Sequence, residues 1–212
     1  MLSTVDALLP LSLLEAVRNV DTPSDQFDAE YVDELRNKRF GLSDTVYAQI
    51  KRHTEAVRRR QRIGQDEAIA LAKLIGRRPD AEAVFRAAGR YMGRESYLTI
   101  SAVTRRMMRL LPSAIVRPLA YRRARKIASR YLNGNVRRVG GFLLLEVPRS
   151  IMVGTAPGAI GCAYYESSFR ELLLLLIGSI GAVEHVRCAG RGEGTCEWRA
   201  DWRSFDRNAG VE

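Results

Sequence analysis

The stretch at 162–202, CAYYESSFRELLLLLIGSIGAVEHVRCAGRGEGTCEWRADW, decides how the chain is read, because all three cysteines and one of its two histidines fall within it. Cys162 leads; His185, Cys188 and Cys196 follow, with two residues between His185 and Cys188 and seven between Cys188 and Cys196. Three thiols and an imidazole make one tetrahedral zinc set, and four protein ligands leave no open position on the ion, so such a zinc is structural. Residues 181–189 read as a strand, 190–194 (GRGEG) as a turn and 195–202 as a returning strand. Cys188 and Cys196 then stand on the two sides of one hairpin mouth. His185 and Cys188 have opposite parity on a regular strand, so the ladder must bend or end between them for both to face one ion. Cys162 comes back to the hairpin from the far end of an intervening helix at 164–177. The competing reading is plain core, since cysteine is often a small buried hydrophobe and His185 an ordinary strand residue.

With these residues in view, the segment from about 89 to 202 resembles the 4-vinyl reductase-type domain, a hydrocarbon-binding module. The resemblance rests on a Gly-containing helix, a strand ending in Cys, a glycine turn, and a second Cys followed by an aromatic residue. In this chain those are Gly178, Cys188, Gly192 and Gly194, then Cys196 and Trp198. The family includes sensor domains of aromatic-responsive bacterial activators, a protein linked to bacteriochlorophyll synthesis and relatives of transport-particle subunits. Its metal-binding members carry a third Cys where Cys162 stands and an acidic ligand three positions before the strand Cys. This chain has His185 there, a different but legitimate zinc donor, and Glu184 beside it is the weaker substitute.

The resemblance implies a noncatalytic, dimeric binding module, a sensor or carrier for a small hydrophobic or aromatic ligand. Its pocket would lie between helices and sheet, with Met107, Met108, Leu111, Phe142, Leu144, Tyr164, Phe169 and Trp198 as lining candidates. The same residue types fill ordinary cores, so composition alone does not separate pocket from core. An enzyme reading has little to stand on: no nucleophile–base arrangement, phosphate loop or reductant-cofactor motif emerges, and GRGEG leads into a strand, not a helix.

Composition agrees with a folded protein. The chain has 212 residues, 46% hydrophobic and 27% charged, ordinary values for a globular domain. Its longest apolar run, 172–183, contains two glycines and a serine and falls short of the roughly 20 residues a membrane span needs. The start has no basic n-region and carries Asp6, which reads as cytoplasmic, with thiols kept reduced.

The net charge of +10 is concentrated: residues 97–145 hold 11 basic and no acidic side chains. Arg105, Arg106, Arg109, Arg122, Arg125 and Arg130 lie mostly off the apolar stripes of two helices expected at 101–111 and 114–132. Such a surface attracts an acidic protein partner, anionic lipid or phosphates in a salt-sensitive way. Base stacking would want interleaved aromatics, and only Tyr97, Tyr121 and Tyr131 qualify, so specific nucleic-acid recognition is not supported. The alternatives are a scaffold protein docking through these helices, or a merely solvated face.

Apolar periodicity further predicts helices at 8–20, 28–40, 43–63, 66–75 and from Pro79 through Met92. His53, alone among Arg and Gln, reads as a surface residue. Strands are expected at 135–147 and 151–156, paired as a hairpin, with a bulge or close approach at Gly140 and Gly141. The sum is an α+β fold: N-terminal helices, then an antiparallel sheet of about four strands packed on helices, with a zinc-pinned C-terminal hairpin. We divide it into a helical region at 1–95, serving as lid or dimerisation surface, a ligand-binding domain at 96–205 and a tail at 206–212.

Overall fold

The N-terminal helix α1 (Leu8–Asp21) buries its residues from Leu8 to Ala16 almost without interruption, as a helix does when other elements cover most of its circumference. A computed structural model describes residues 3–21, 43–178 and 181–202; the helix expected at 28–40 and the tail at 206–212 lie outside them. The helices continue with α2 (Ser43–Arg58), α3 (Gln65–Ile75), α4 (Ala81–Leu98), α5 (Ala102–Leu110), α6 (Ser113–Tyr131) and α7 (Ala163–Ile177). Two short strands, β1 (Thr4–Asp6) and β2 (Arg62–Gly64), pair antiparallel. Strands β3 (Asn135–Val139), β4 (Phe142–Val147), β5 (Val183–Arg187) and β6 (Cys196–Asp201) form an antiparallel sheet in the order β3-β4-β6-β5. The α+β architecture is therefore as the sequence reads.

Helix α7 is the central post. It buries residues on every side, from Tyr164 and Tyr165 through Phe169 to Leu176 and Ile177, because α4 covers one flank and the sheet another. Helix α4 presents Val84, Phe85, Ala88, Gly89, Met92, Gly93, Ser96 and Tyr97, a three–four spacing that makes one stripe. Ion pairs Arg86–Glu166 and Arg94–Glu171, both 2.7 Å, cross the same seam; with Arg94 largely exposed, each adds at most about 1 kcal/mol. In β4, Leu143, Leu145 and Val147 face the core while Phe142 and Leu144 face outward, the period-two alternation of a half-buried strand.

Three sequence expectations change. The strand expected at 135–147 is itself a hairpin, β3 and β4 with Val139 opposite Phe142, and 151–156 forms turns rather than a partner strand. The reason is the Gly140–Gly141 pair: Gly140 has φ of 58°, which a two-residue hairpin turn needs and glycine supplies without strain. The helix expected at 43–63 stops at Arg58, and Arg62–Gly64 leaves it to pair with Thr4–Asp6.

The third correction is His53, which is 3% exposed rather than a surface residue. It stands three residues after Ile50 and four before Val57, so it shares their inward stripe. Burial holds its imidazole below the ordinary range, partly countered by Glu67, whose carboxylate lies 3.7 Å away, and reinforced by Arg52. A lowered folded-state value means the unfolded chain binds more protons than the native one as His53 titrates. Its contribution to stability is thus complete above about pH 6.5 and is lost as pH falls through the lower folded value. We expect the melting temperature of His53→Gln to vary less between about pH 5 and 7 than that of the parent; parallel profiles would refute the assignment.

Candidate metal centre

Cys162 closes a 3₁₀ turn, Ile160–Cys162, and directly precedes α7. The other three candidates come from the last hairpin. His185 lies opposite Trp198, but the next pairing is Arg187 with Glu197, so Val186 is an extra residue in β5. That bulge is the bend the spacing requires: it cancels the parity difference and turns His185 and Cys188 to the same side. Continuing the shifted register sets Cys188 opposite Cys196.

The ligand atoms of Cys162, His185, Cys188 and Cys196 all lie within 4.8 Å of one another, close to the donor spacing of about 3.8 Å round one tetrahedral ion with sulfur ligands. The three cysteines are buried and none forms a disulfide. His185 is half-buried, and its Nε2 is shielded from solvent without a hydrogen-bond partner. An imidazole gathered with three thiols is a donor set that suits a metal ion. The group can hold a metal ion.

The surroundings prepare the site. The Ala189 amide donates to Cys196 Sγ at 3.4 Å, and the Cys188 amide donates to the Glu193 carboxylate. The Cys188 carbonyl accepts from the amides of Arg191 at 2.9 Å and Glu193 at 3.3 Å, coiling GRGEG tightly around the cysteine. Cys196 is held below its ordinary thiol range, chiefly by the hydrogen bond from Cys162, with help from His185 and the Ala189 amide against the cost of burial. The same partnership, with burial, pushes Cys162 up. Negative charge is thus directed to one sulfur in a buried cluster, where a cation is the natural counter-charge.

Behind the cluster stands an aromatic layer. The His185 ring stacks on Trp198 at 4.7 Å and 8°, Trp198 meets Tyr165 at 5.1 Å, and Tyr165 meets Tyr164 edge-on at 5.2 Å. Reading the sequence missed Tyr165 and Glu193, and left open whether β5 bends or ends between His185 and Cys188; the extra residue at Val186 makes it a bend. The opposite parity of His185 and Cys188 was the one available signal for the bulge; nothing marked Glu193 as the group that fixes Cys188.

The eight pocket candidates do not converge. Tyr164, Phe169 and Trp198 are fully buried, Met108 is buried, and Leu111 packs half-buried against the core. Phe142 lies on the outer face of the sheet beneath Arg199, with Leu144 sharing that face, and Met107 is 51% exposed. A cleft of about 820 Å³ opens elsewhere, lined by Gly76, Arg77, Arg78, Gly154 and Ile160 among others and by none of the eight. Of the basic residues, Arg106, Arg109, Arg122 and Arg125 are exposed, and Arg105 and Arg130 are half-buried. Arg105, Arg125 and Arg130 lie over the rings of Tyr97, Tyr121 and Tyr131, and Arg130 also reaches Asp6 at 3.6 Å. None of the described helices is long and apolar enough to cross a membrane. Compared with family models, curated proteins and solved structures, the chain matches none.

Proposed function

We propose that the chain is a noncatalytic binding module whose C-terminal hairpin is fastened to the start of α7 by a structural zinc. The observation that carries this reading is the set of three buried cysteines, Cys162, Cys188 and Cys196, with half-buried His185, all ligand atoms within 4.8 Å of one another. Three sulfurs and one nitrogen suit zinc, and four protein donors leave no coordination position for a substrate. When bound, the ion would neutralise the thiolates and join two segments otherwise held together by packing and the Cys162–Cys196 hydrogen bond. The residues hold their part of the site through the Ala189 and Glu193 contacts. A reducing compartment such as the cytoplasm keeps the thiols available for it.

The ligand in this reading is small and apolar or aromatic. Supporting it are the layer of Tyr164, Tyr165 and Trp198 behind the metal site and Trp198 Nε1, buried without a hydrogen-bond partner. A ligand carrying one acceptor would answer that nitrogen. Its seat is filled by side chains in the closed fold, so entry requires the hairpin to shift, and the metal clip would govern that movement.

Native mass spectrometry on protein purified without chelator tests both halves. We expect one zinc per chain, removable by chelator, together with an organic mass released on denaturation. Metal-free chains with reduced thiols would refute the zinc. Zinc-loaded chains that neither retain nor take up any apolar compound would refute the ligand reading alone.

A further inference from the structure

Helix α5 has a face that the fold leaves uncovered. Met108 is its sole buried residue, while Val103, Met107 and Leu110 are 71%, 51% and 74% exposed. Their spacing of four and three places them on one stripe along the helix. Leu98 at the end of α4 and Ile115 at the start of α6, the elements that flank α5 in the chain, are also about half exposed, at 51% and 52%. Arg106 and Arg109 stand beside the stripe, and among the described residues neither has an ion pair. Apolar residues exposed in a row on a helix capped by Ser101, whose hydroxyl accepts the Thr104 amide at 3.3 Å, are not an end-fraying accident. They mark a surface made to be covered.

Charge says by what. The segment 97–145 has 11 basic and no acidic residues, so a second copy meeting the first stripe to stripe would bring Arg106 and Arg109 against their own images. With Val103, Met107 and Leu110 each half or more exposed, the stripe is open along its length, which suits a flat apolar layer. We propose that α5 is an interfacial membrane anchor, with Val103, Met107 and Leu110 entering the headgroup–acyl boundary of an anionic bilayer and Arg106 and Arg109 meeting its lipid phosphates. A short helix with an apolar stripe bordered by arginines binds by these two contributions together, and the electrostatic one is screened by salt.

The test is co-sedimentation of the full chain with vesicles of phosphatidylcholine alone and of equal parts phosphatidylcholine and phosphatidylglycerol. We expect binding to the anionic vesicles only, weakening as salt is raised. The variant M107E/L110E loses about tenfold or more in partitioning, and R106Q/R109Q about tenfold. All four side chains are exposed, so metal content and circular dichroism should stay at parental values; Val103→Gln supplies a milder third variant should either double variant misfold. Binding of M107E/L110E at the parental level would overturn the proposal, as would absence of binding to anionic vesicles. Concentration-dependent self-association abolished by M107E/L110E would also overturn it and assign the stripe to a second copy. Heparin retention should survive Val103→Gln, which removes apolar surface without adding charge, because a soluble polyanion needs the charges but not the stripe.

Discussion

If the proposed clip holds a metal, substituting Cys196 by serine is expected to release it and to lower stability by several kcal/mol, with chelator having no further effect on the variant. The site explains each part. Cys196 is fully buried and accepts the Ala189 amide, and it is the sulfur on which the surrounding hydrogen bonds concentrate negative charge. A serine hydroxyl does not ionise at neutral pH and is a poor zinc donor, so the site loses one of its four donors. Structural zinc in small domains has an apparent binding free energy of about 10–16 kcal/mol, much of which appears as folding free energy. The larger framework here supplies its own core, so only part of that is lost when the clip opens. The measurement is urea unfolding of the parent and Cys196→Ser, each with and without chelator. A parent curve shifted by chelator onto the variant curve confirms the clip. Equal stability in all four conditions would show that the cysteines are packing residues and no more.

The metal cluster was legible from spacing because its chemistry is local to the sequence: three of four ligands lie within 12 residues, 185–196. Parity required β5 to bend or end between His185 and Cys188 for both to face one ion, and the extra residue at Val186 supplies the bend. The pocket candidates fared differently for a physical reason. Phe142 and Leu144 belong to a strand with apolar residues on both faces, FLLLEV, so alternation gave no sign of which parity faced inward. The pairing with β6 decides that, by placing the buried Trp198 opposite Leu145. His53 was misread because its neighbours in sequence are charged, whereas its neighbours in space are Ile50 and Val57 one turn away. The β1–β2 pair joins residues about 60 apart through three-residue strands, a contact no local pattern announces. The glycine pair at 140–141 carried the most information of any dipeptide, and its hairpin meaning was available where a bulge was inferred.

Gly89→Ala should destabilise the protein by about 2 kcal/mol, although alanine is the better helix former by about 0.8–1 kcal/mol. The two effects oppose each other, and the geometry decides between them. A Cβ at Gly89 would stand 2.3 Å from the Tyr164 carbonyl oxygen, 2.8 Å from Ser167 Cβ and 3.0 Å from the Ser168 amide nitrogen. Two of those three atoms are backbone, so no rotamer change relieves them; α4 and α7 must separate. One turn on, Gly93 repeats the requirement, its Cβ position lying 2.8 Å from Glu171 Cβ. Overpacking of this kind costs about 1–3 kcal/mol, and the displaced helix is the one that sets Tyr165 against Trp198 and follows directly on Cys162. The loss should therefore extend to the metal centre: zinc affinity measured by competition with a chromophoric chelator falls in Gly89→Ala, while Ala87→Gly, on the half-buried side of α4, costs no more than its helix propensity and leaves zinc affinity unchanged. A Gly89→Ala protein as stable as its parent would mean that the seam between α4 and α7 is loose enough to absorb a methyl group. In that case the position of Cys162 would depend on the metal rather than on the helix that carries it.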